Sequence, residues 1–154
     1  MKFPTRQILI LSIIVTLCFS LAACKKPGIT ENAETDYGNS AKFSEDEIIS
    51  AMDAAREYFE DNFYNCELKR IWHDEEQSDT IVENYLTYGH GAIGHDTFNN
   101  VKLENYIALQ YDFYVGPYWV APCFEPDTTY FDRHIVLVRH GSTGVWLPTS
   151  GGVG

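Results

Sequence analysis

With 22 acidic residues against 11 basic ones in a chain of 154, the formal charge at pH 7 is −11. A field of that sign is repelled by nucleic acid and by anionic lipid headgroups, so the composition speaks against nucleic-acid binding and against electrostatic adhesion to a membrane. The length suits one small domain with a modest core, and no internal repeat divides it.

The first segment has the layout of a secretory signal. Lys2 and Arg6 precede an uncharged run from Ile8 to Ala23 dominated by Ile, Leu and Val. Its end reads Leu21-Ala22-Ala23-Cys24, which resembles the lipobox of a bacterial lipoprotein. Small residues suit the peptidase site there, and the Cys24 thiol is the atom that receives a diacylglyceryl group. A permanent transmembrane anchor is the other reading, but the run is short against the ~20 helical residues that a bilayer core requires, and it leaves Cys24 without a role. The expectation is a signal peptide at 1–23 and a mature chain held to the cell membrane by lipid on its extracytoplasmic face. Each buried acyl methylene contributes ~0.8 kcal/mol to that attachment. Loss of Lys2 and Arg6 makes the mature chain more acidic still, so the folded part is expected to stand off the bilayer.

Residues 24–42 begin with the lipidated Cys24 and continue as a polar stretch with Pro27, Gly28 and Gly38, expected as a flexible tether of about 25 Å. The folded domain is expected at 43–154. Ser44 followed by Glu47 is a capping box, with Phe43 and Ile48 spaced as a hydrophobic staple. Ile48, Met52, Ala55 and Phe59 recur at helical spacing, with Ile49 and Phe63 widening the stripe, and predict a helix of about five turns ending near Asn62. Cys66 to His73 follows as a strand with Cys66, Leu68 and Trp72 on one face and Glu67 and Lys69 on the other. Asp74-Glu75-Glu76 reads as an acidic turn, and Ser78 as the cap of a shorter helix carrying Ile81, Val82, Tyr85 and Leu86 that stops at Gly89. From Asn105 the period becomes two: Ile107, Leu109, Tyr111, Phe113 and Val115 share one face, and Ala108, Gln110, Asp112 and Tyr114 the other. After Gly116-Pro117 comes an aromatic loop with Tyr118, Trp119, Phe124, Tyr130 and Phe131, then a buried strand at Ile135-Val136-Leu137-Val138. Gly141 to Gly144 reads as a hairpin turn into Val145-Trp146-Leu147, which Pro148 ends. The expected class is α+β, with N-terminal helices packed on a curved antiparallel sheet.

These residues also resemble a group of small Gram-positive lipoproteins with an NTF2-like, cone-shaped domain of unknown function. The resemblance rests on Phe43-Ser44 with Ile48, on Cys66-Glu67-Leu68 and Ile71 to Glu76, and on Tyr88-Gly89. It continues through Asn105 to Leu109, Asp112 to Val115, Ile135 to Arg139, and Trp146. It implies an NTF2-like cone over nearly the whole domain, and it implies no activity.

Chemistry-bearing residues are sparse. Cys18 leaves with the leader and Cys24 takes the lipid, so Cys66 and Cys123 remain. In an oxidising setting they either form a disulfide, which would contribute about 4 kcal/mol by closing a long loop, or serve as small apolar groups. NTF2-like folds often enclose a pocket, and acid–base chemistry there needs a buried carboxylate or His. Asp112 is the natural candidate, but its parity places it on the face opposite the apolar one. His73-Asp74, the His90/His95 pair and the Asp74, Glu75, Glu76, Asp79 cluster are expected as solvated polar groups, lacking zinc or EF-hand spacing, so no metal is expected. No phosphate loop, dinucleotide fingerprint or nucleophile elbow is present, so no cofactor is expected either. Trp72, Tyr111, Tyr118 and Trp119 are the candidate pocket or ligand contacts, Tyr118 and Trp119 being suited to stacking on a sugar. The expected function is a membrane-anchored, extracytoplasmic, non-enzymatic binding module for a partner protein or small ligand, with homodimerisation as a further option. The alternative is a small isomerase- or lyase-type enzyme using the cone pocket. A pocket filled by Trp72, Tyr111 and Phe113 would favour the module; a desolvated, hydrogen-bonded Asp, Glu or His inside the concave cavity would favour the enzyme.

Overall fold

A computed structural model describes residues 26–88, 103–117, 123–140 and 144–149. In chain order these contain β1 (Glu34–Asp36), α1 (Glu45–Asn62), β2 (Cys66–Trp72) and α2 (Glu75–Tyr88), then a single 3-10 turn (Leu103–Asn105), β3 (Tyr106–Val115), β4 (Thr128–Arg139) and β5 (Trp146–Pro148). The chain is α+β: two helices pack on one five-stranded sheet of order β1-β2-β3-β4-β5.

The alternation read from β3 holds, and it organises both layers. Ile107, Leu109, Tyr111, Phe113 and Val115 lie in one buried cluster with Phe43, Ile48, Met52, Phe59 and Phe63, which is the α1 side, here called the front face. Tyr106 and Ala108 point the other way and pack with Val136, Val138 and the α2 residues Val82, Ile81, Tyr85 and Leu86 on the back face. The two helices therefore cover opposite faces of the sheet. Ser44 and Glu47 close the capping box at the start of α1, and the stripe buries Ile48, Ala51, Met52, Ala55 and Phe59. Glu47 also forms an ion pair with Arg139 at 2.7 Å, and the Arg139 guanidinium lies over the rings of Trp146 and Phe43 at 4.7 and 5.9 Å.

Four expectations are corrected. First, the sheet is mixed rather than antiparallel. β1 pairs parallel with β2 (Thr35↔Ile71), whereas β2–β3, β3–β4 and β4–β5 are antiparallel. Residues 26–36, expected within the tether, are thus bound to the domain. The Ile29 N–H donates to the Cys66 carbonyl at 3.0 Å, the Leu68 N–H to the Ile29 carbonyl at 2.8 Å, and the Arg56 guanidinium to the Thr30 carbonyl at 2.9 Å. β1 is exposed along its length, so backbone hydrogen bonds hold it and composition carries no trace of it. Second, Trp72 is not on the face of Cys66 and Leu68. An extra residue at Lys69 opposes nothing on β3, since Leu68 pairs with Phe113 and Arg70 with Asp112. That bulge reverses the parity, so Ile71 takes the front and Trp72 the back. Third, α2 begins at Glu75: Asp74 is its cap, its carboxylate accepting the Gln77 N–H at 2.9 Å. Ser78 is buried instead and accepts the Ala108 N–H at 2.9 Å, at a point beyond the end of β2. The expected stop at Gly89 lies outside the described residues. Fourth, β4 is longer than its apolar run and includes Tyr130 and Phe131, which were expected in a loop.

Three non-glycine residues have positive φ, Asn65, Asp127 and Asp132, all of types that tolerate the left-handed region. Asp132 belongs to a bulge in β4 between the Tyr111 and Phe113 pairings, and its N–H is accepted by the Asp112 carboxylate at 2.9 Å. Gly38 is required twice over: its φ is +61°, and a Cβ there would overlap the His73 carbonyl.

Phe113, fully buried at the centre of the front face, is the most sensitive packing position. Phe113→Ala is expected to lower the unfolding free energy by about 3–5 kcal/mol in urea titration. A loss below 1 kcal/mol would show that the front face is not the core.

Candidate functional site

Between α1 and the sheet the space is filled by rings. Phe59 and Phe63 stack at 4.5 Å, Phe63 meets Phe113 edge-on at 5.3 Å, and Phe113 stacks on Tyr130 at 5.1 Å. What remains is a cavity of about 10 Å³ lined by Ala55, Tyr58, Phe59, Phe63, Leu68, Ile71, Tyr111 and Ile135. That is room for one water molecule. Burial pushes the Tyr111 hydroxyl well above the ordinary tyrosine range, so it stays protonated. Tyr111 is therefore a core residue. Asp112 faces away, as its parity implies, and its bond to the Asp132 N–H gives it a structural task at the β4 bulge.

The back face holds a group that sequence reasoning missed. Trp72, Gln110 and His134 are directly opposite one another on three adjacent strands, so their side chains form one row. Gln110 is 2 % exposed, and neither its amide oxygen nor its nitrogen has a hydrogen-bond partner among the described residues. An unmet buried polar group costs about 1–3 kcal/mol. Burial, and then the Arg133 charge, hold His134 below the usual imidazole value. The Arg70 guanidinium lies 4.6 Å from the Trp72 ring and covers one side of the indole. No spacing signal reports this row, because it depends on the bulge at Lys69.

His73 was expected at the surface and is 3 % exposed. Its ring meets Phe43 edge-on at 6.3 Å, and neither nitrogen has a partner among the described residues. Burial lowers its pKa, against the opposing pull of Glu75, Asp74 and Asp79. The acidic cluster beside it is used by the chain itself. The Glu75 carboxylate accepts the Ser40 hydroxyl and the N–H groups of Ala41 (2.7 Å) and Lys42 (3.3 Å), and Asp79 pairs with Lys42. Among the described residues no group of three or more His, Cys, Asp or Glu side chains is placed to hold a metal ion.

An open groove of about 660 Å³ runs between α1 and β5. Asp53, Glu57 and Asp61, one helical turn apart, form one wall; Val145, Trp146, Leu147 and Pro148 form the other. Val145 and Leu147 are 53 % and 45 % exposed, large for apolar side chains. Among the described residues β5 pairs only with β4, and it is the last strand of the sheet in this order. That these carboxylates lie opposite β5 is not legible in the sequence.

Of the other candidates, Cys24, Tyr118, Trp119, His90 and His95 lie outside the described residues. Cys66 is buried and Cys123 exposed, and both are free thiols in this structure. Among the described residues no helix is long and apolar enough to cross a membrane. Comparison with protein-family models, with curated proteins and with solved structures finds no match to this chain.

The buried imidazoles fix a pH dependence. The folded chain holds His73 and His134 below their ordinary values, so the unfolded chain takes up protons first as the pH falls. Their contribution is complete above about pH 6.5 and is lost below it. Glu47, held low first by the Ser44 N–H, and Glu75, held low first by the Ser40 hydroxyl, contribute above their ordinary value near 4.5 and lose that contribution only in stronger acid. The urea midpoint is expected to fall between pH 7.5 and 5.5. The His73→Leu, His134→Leu double variant should flatten that step and keep the fall below pH 4.5. A wild-type midpoint that is level across the upper window would refute the assignment.

Proposed function

We propose that the chain is a lipid-anchored, extracytoplasmic and non-enzymatic binding module that receives a cationic, partly apolar segment of a partner protein between α1 and β5. The observation that carries this reading is the pair of unlike groove walls: three carboxylates in line on Asp53, Glu57 and Asp61, facing the exposed apolar side chains of Val145 and Leu147. Basic side chains meet the first wall and an aliphatic stem or side chain meets the second. The chain's surplus of acidic residues works in the same direction by steering a basic partner toward it.

What supports a module over an isomerase or lyase is the interior. An enzyme of that type works in a desolvated pocket with an ionisable group aimed into it, and here the corresponding space is about 10 Å³ and lined by apolar and tyrosine side chains. The NTF2-like reading draws support from the long α1 laid against the antiparallel run β2 to β5. The placement of α2 on the opposite face is a feature the cone does not require. The anchor reading rests on Lys2, Arg6, the apolar run and Leu21 to Cys24.

Two measurements test the halves separately. Cys24→Ser is expected to move the protein from the membrane fraction to the soluble one; continued fatty-acid labelling of that variant would refute the attachment site. A photo-crosslinking residue at Ser50, which lines the groove, is expected to capture a protein in intact cells. Neutralising the wall by Asp53→Asn, Glu57→Gln and Asp61→Asn should cut that capture about tenfold or more, and so should 0.5 M salt (roughly one Debye length of 4 Å). Equal capture by the neutralised chain, or by a crosslinker at Glu83 on α2, would remove the groove from consideration.

A further inference from the structure

We propose that Cys66 and Cys123 form a thiol pair that a small disulfide oxidises to an intramolecular bond, latching the start of β2 to residues 123–127. The placement comes from the sheet. Cys66 opens β2 directly opposite Val115, the last residue of β3. The chain then leaves the sheet at Gly116, whose N–H donates to the Asn65 carbonyl at 2.9 Å, and the Asp127 N–H returns to the Gly116 carbonyl at 3.3 Å. Gly116 and Asp127 are thus pinned beside Asn65 and Cys66. Phe124 fixes the neighbouring Cys123. The Phe124 ring stacks near Phe63 at 5.8 Å and meets Phe113 at 5.2 Å, and the neighbouring Glu125 N–H donates to the Tyr130 hydroxyl at 2.8 Å. Phe63 in turn accepts the Cys66 N–H through its carbonyl. Residues 57 positions apart in sequence are therefore carried by two neighbours that touch.

The two thiols differ in a way that assigns their roles. Cys123 is exposed, whereas Cys66 is buried with its thiol directed at the Tyr64 carbonyl at 3.5 Å. Burial, and then the nearness of Cys123, push the Cys66 thiol up to about 11, so it is inert toward reagents in solution. Cys123 gives up its proton and attacks the external disulfide RSSR; one S–S bond breaks, one RS⁻ departs, and Cys123–S–SR remains. Cys66 then loses its proton and attacks the Cys123 sulfur, expelling the second RS⁻. The chain gives up two electrons and two protons, and RSSR becomes two RSH. The product bond holds Phe124 over the aromatic interior. This inference is independent of the groove, since it involves neither α1's acidic wall nor β5.

The test uses the full-length chain. Protein extracted under N-ethylmaleimide and digested without reduction is expected to yield the Cys66 and Cys123 peptides joined. Reduced protein given oxidised glutathione should regain that joined peptide and release two glutathione thiols per chain. Reduction should lower Tm by about 10 °C or more, as expected for a bond that closes a long loop. Cys123→Ser changes an exposed side chain only. It should fold, leave Cys66 unalkylated until denaturant is added, and abolish the effect of reductant on Tm. Two cysteines alkylated once denaturant is added with the N-ethylmaleimide, both in freshly extracted protein and again after glutathione treatment, would overturn the proposal. A glutathione adduct on Cys123 that never passes to Cys66 would do the same.

Discussion

The constraint on which the rest of the molecule depends is that β3 is buried on both faces from Tyr106 to Tyr111. A central strand with apolar groups pointing both ways leaves no side free for water, so each face must be covered by a separate layer. α1 supplies the front layer and α2 the back one. The strands paired to β3 inherit the same two sides. β4 alternates in step with it over Ile135 to Val138, and β2 does so until the bulge at Lys69. The aromatic interior follows from the front alternation, and the row of Trp72, Gln110 and His134 follows from the back one.

A second level of structure ties the polar segments to that core. Glu47 accepts the Ser44 N–H and hydroxyl and also pairs with Arg139, so one carboxylate caps α1 and fastens its first turn to the end of β4. Arg139 lies over Phe43 and Trp146, which places β5 beside the helix and so builds the groove. Glu75 does a similar task at the start of α2 by gathering the hydroxyl and N–H groups of residues 40–42. The acidic character of the chain is thus partly structural, with individual carboxylates satisfying backbone donors at helix starts. Among the described residues Asp53, Glu57 and Asp61 make no such bond, and they line the open space beside β5.

How much of this was legible can be traced residue by residue. The capping box at Ser44 and Glu47, the stripe from Ile48 to Phe59 and the alternation from Ile107 to Val115 were readable because each is a local pattern with a fixed period. The hairpin into β5 was readable from Gly144 and Pro148. β1 was not, because an exposed edge strand of three residues has no apolar period and is held by backbone hydrogen bonds. Trp72 was assigned to the wrong face because one inserted residue, Lys69, reverses every side chain after it. His73 was assigned to solvent because its burial is produced by Phe43 and by the loop around Gly38, both distant in sequence.

By itself the sequence determined the acidic balance, the two helices and the faces of β3, since each is written in neighbouring residues. Only the tertiary structure decided which helix covers which face, that the interior closes around Phe63 and Phe113, that Gln110 is buried between Trp72 and His134, and that Cys123 is brought back toward Cys66. Those outcomes depend on strand register and on contacts between residues tens of positions apart, and no local period encodes them.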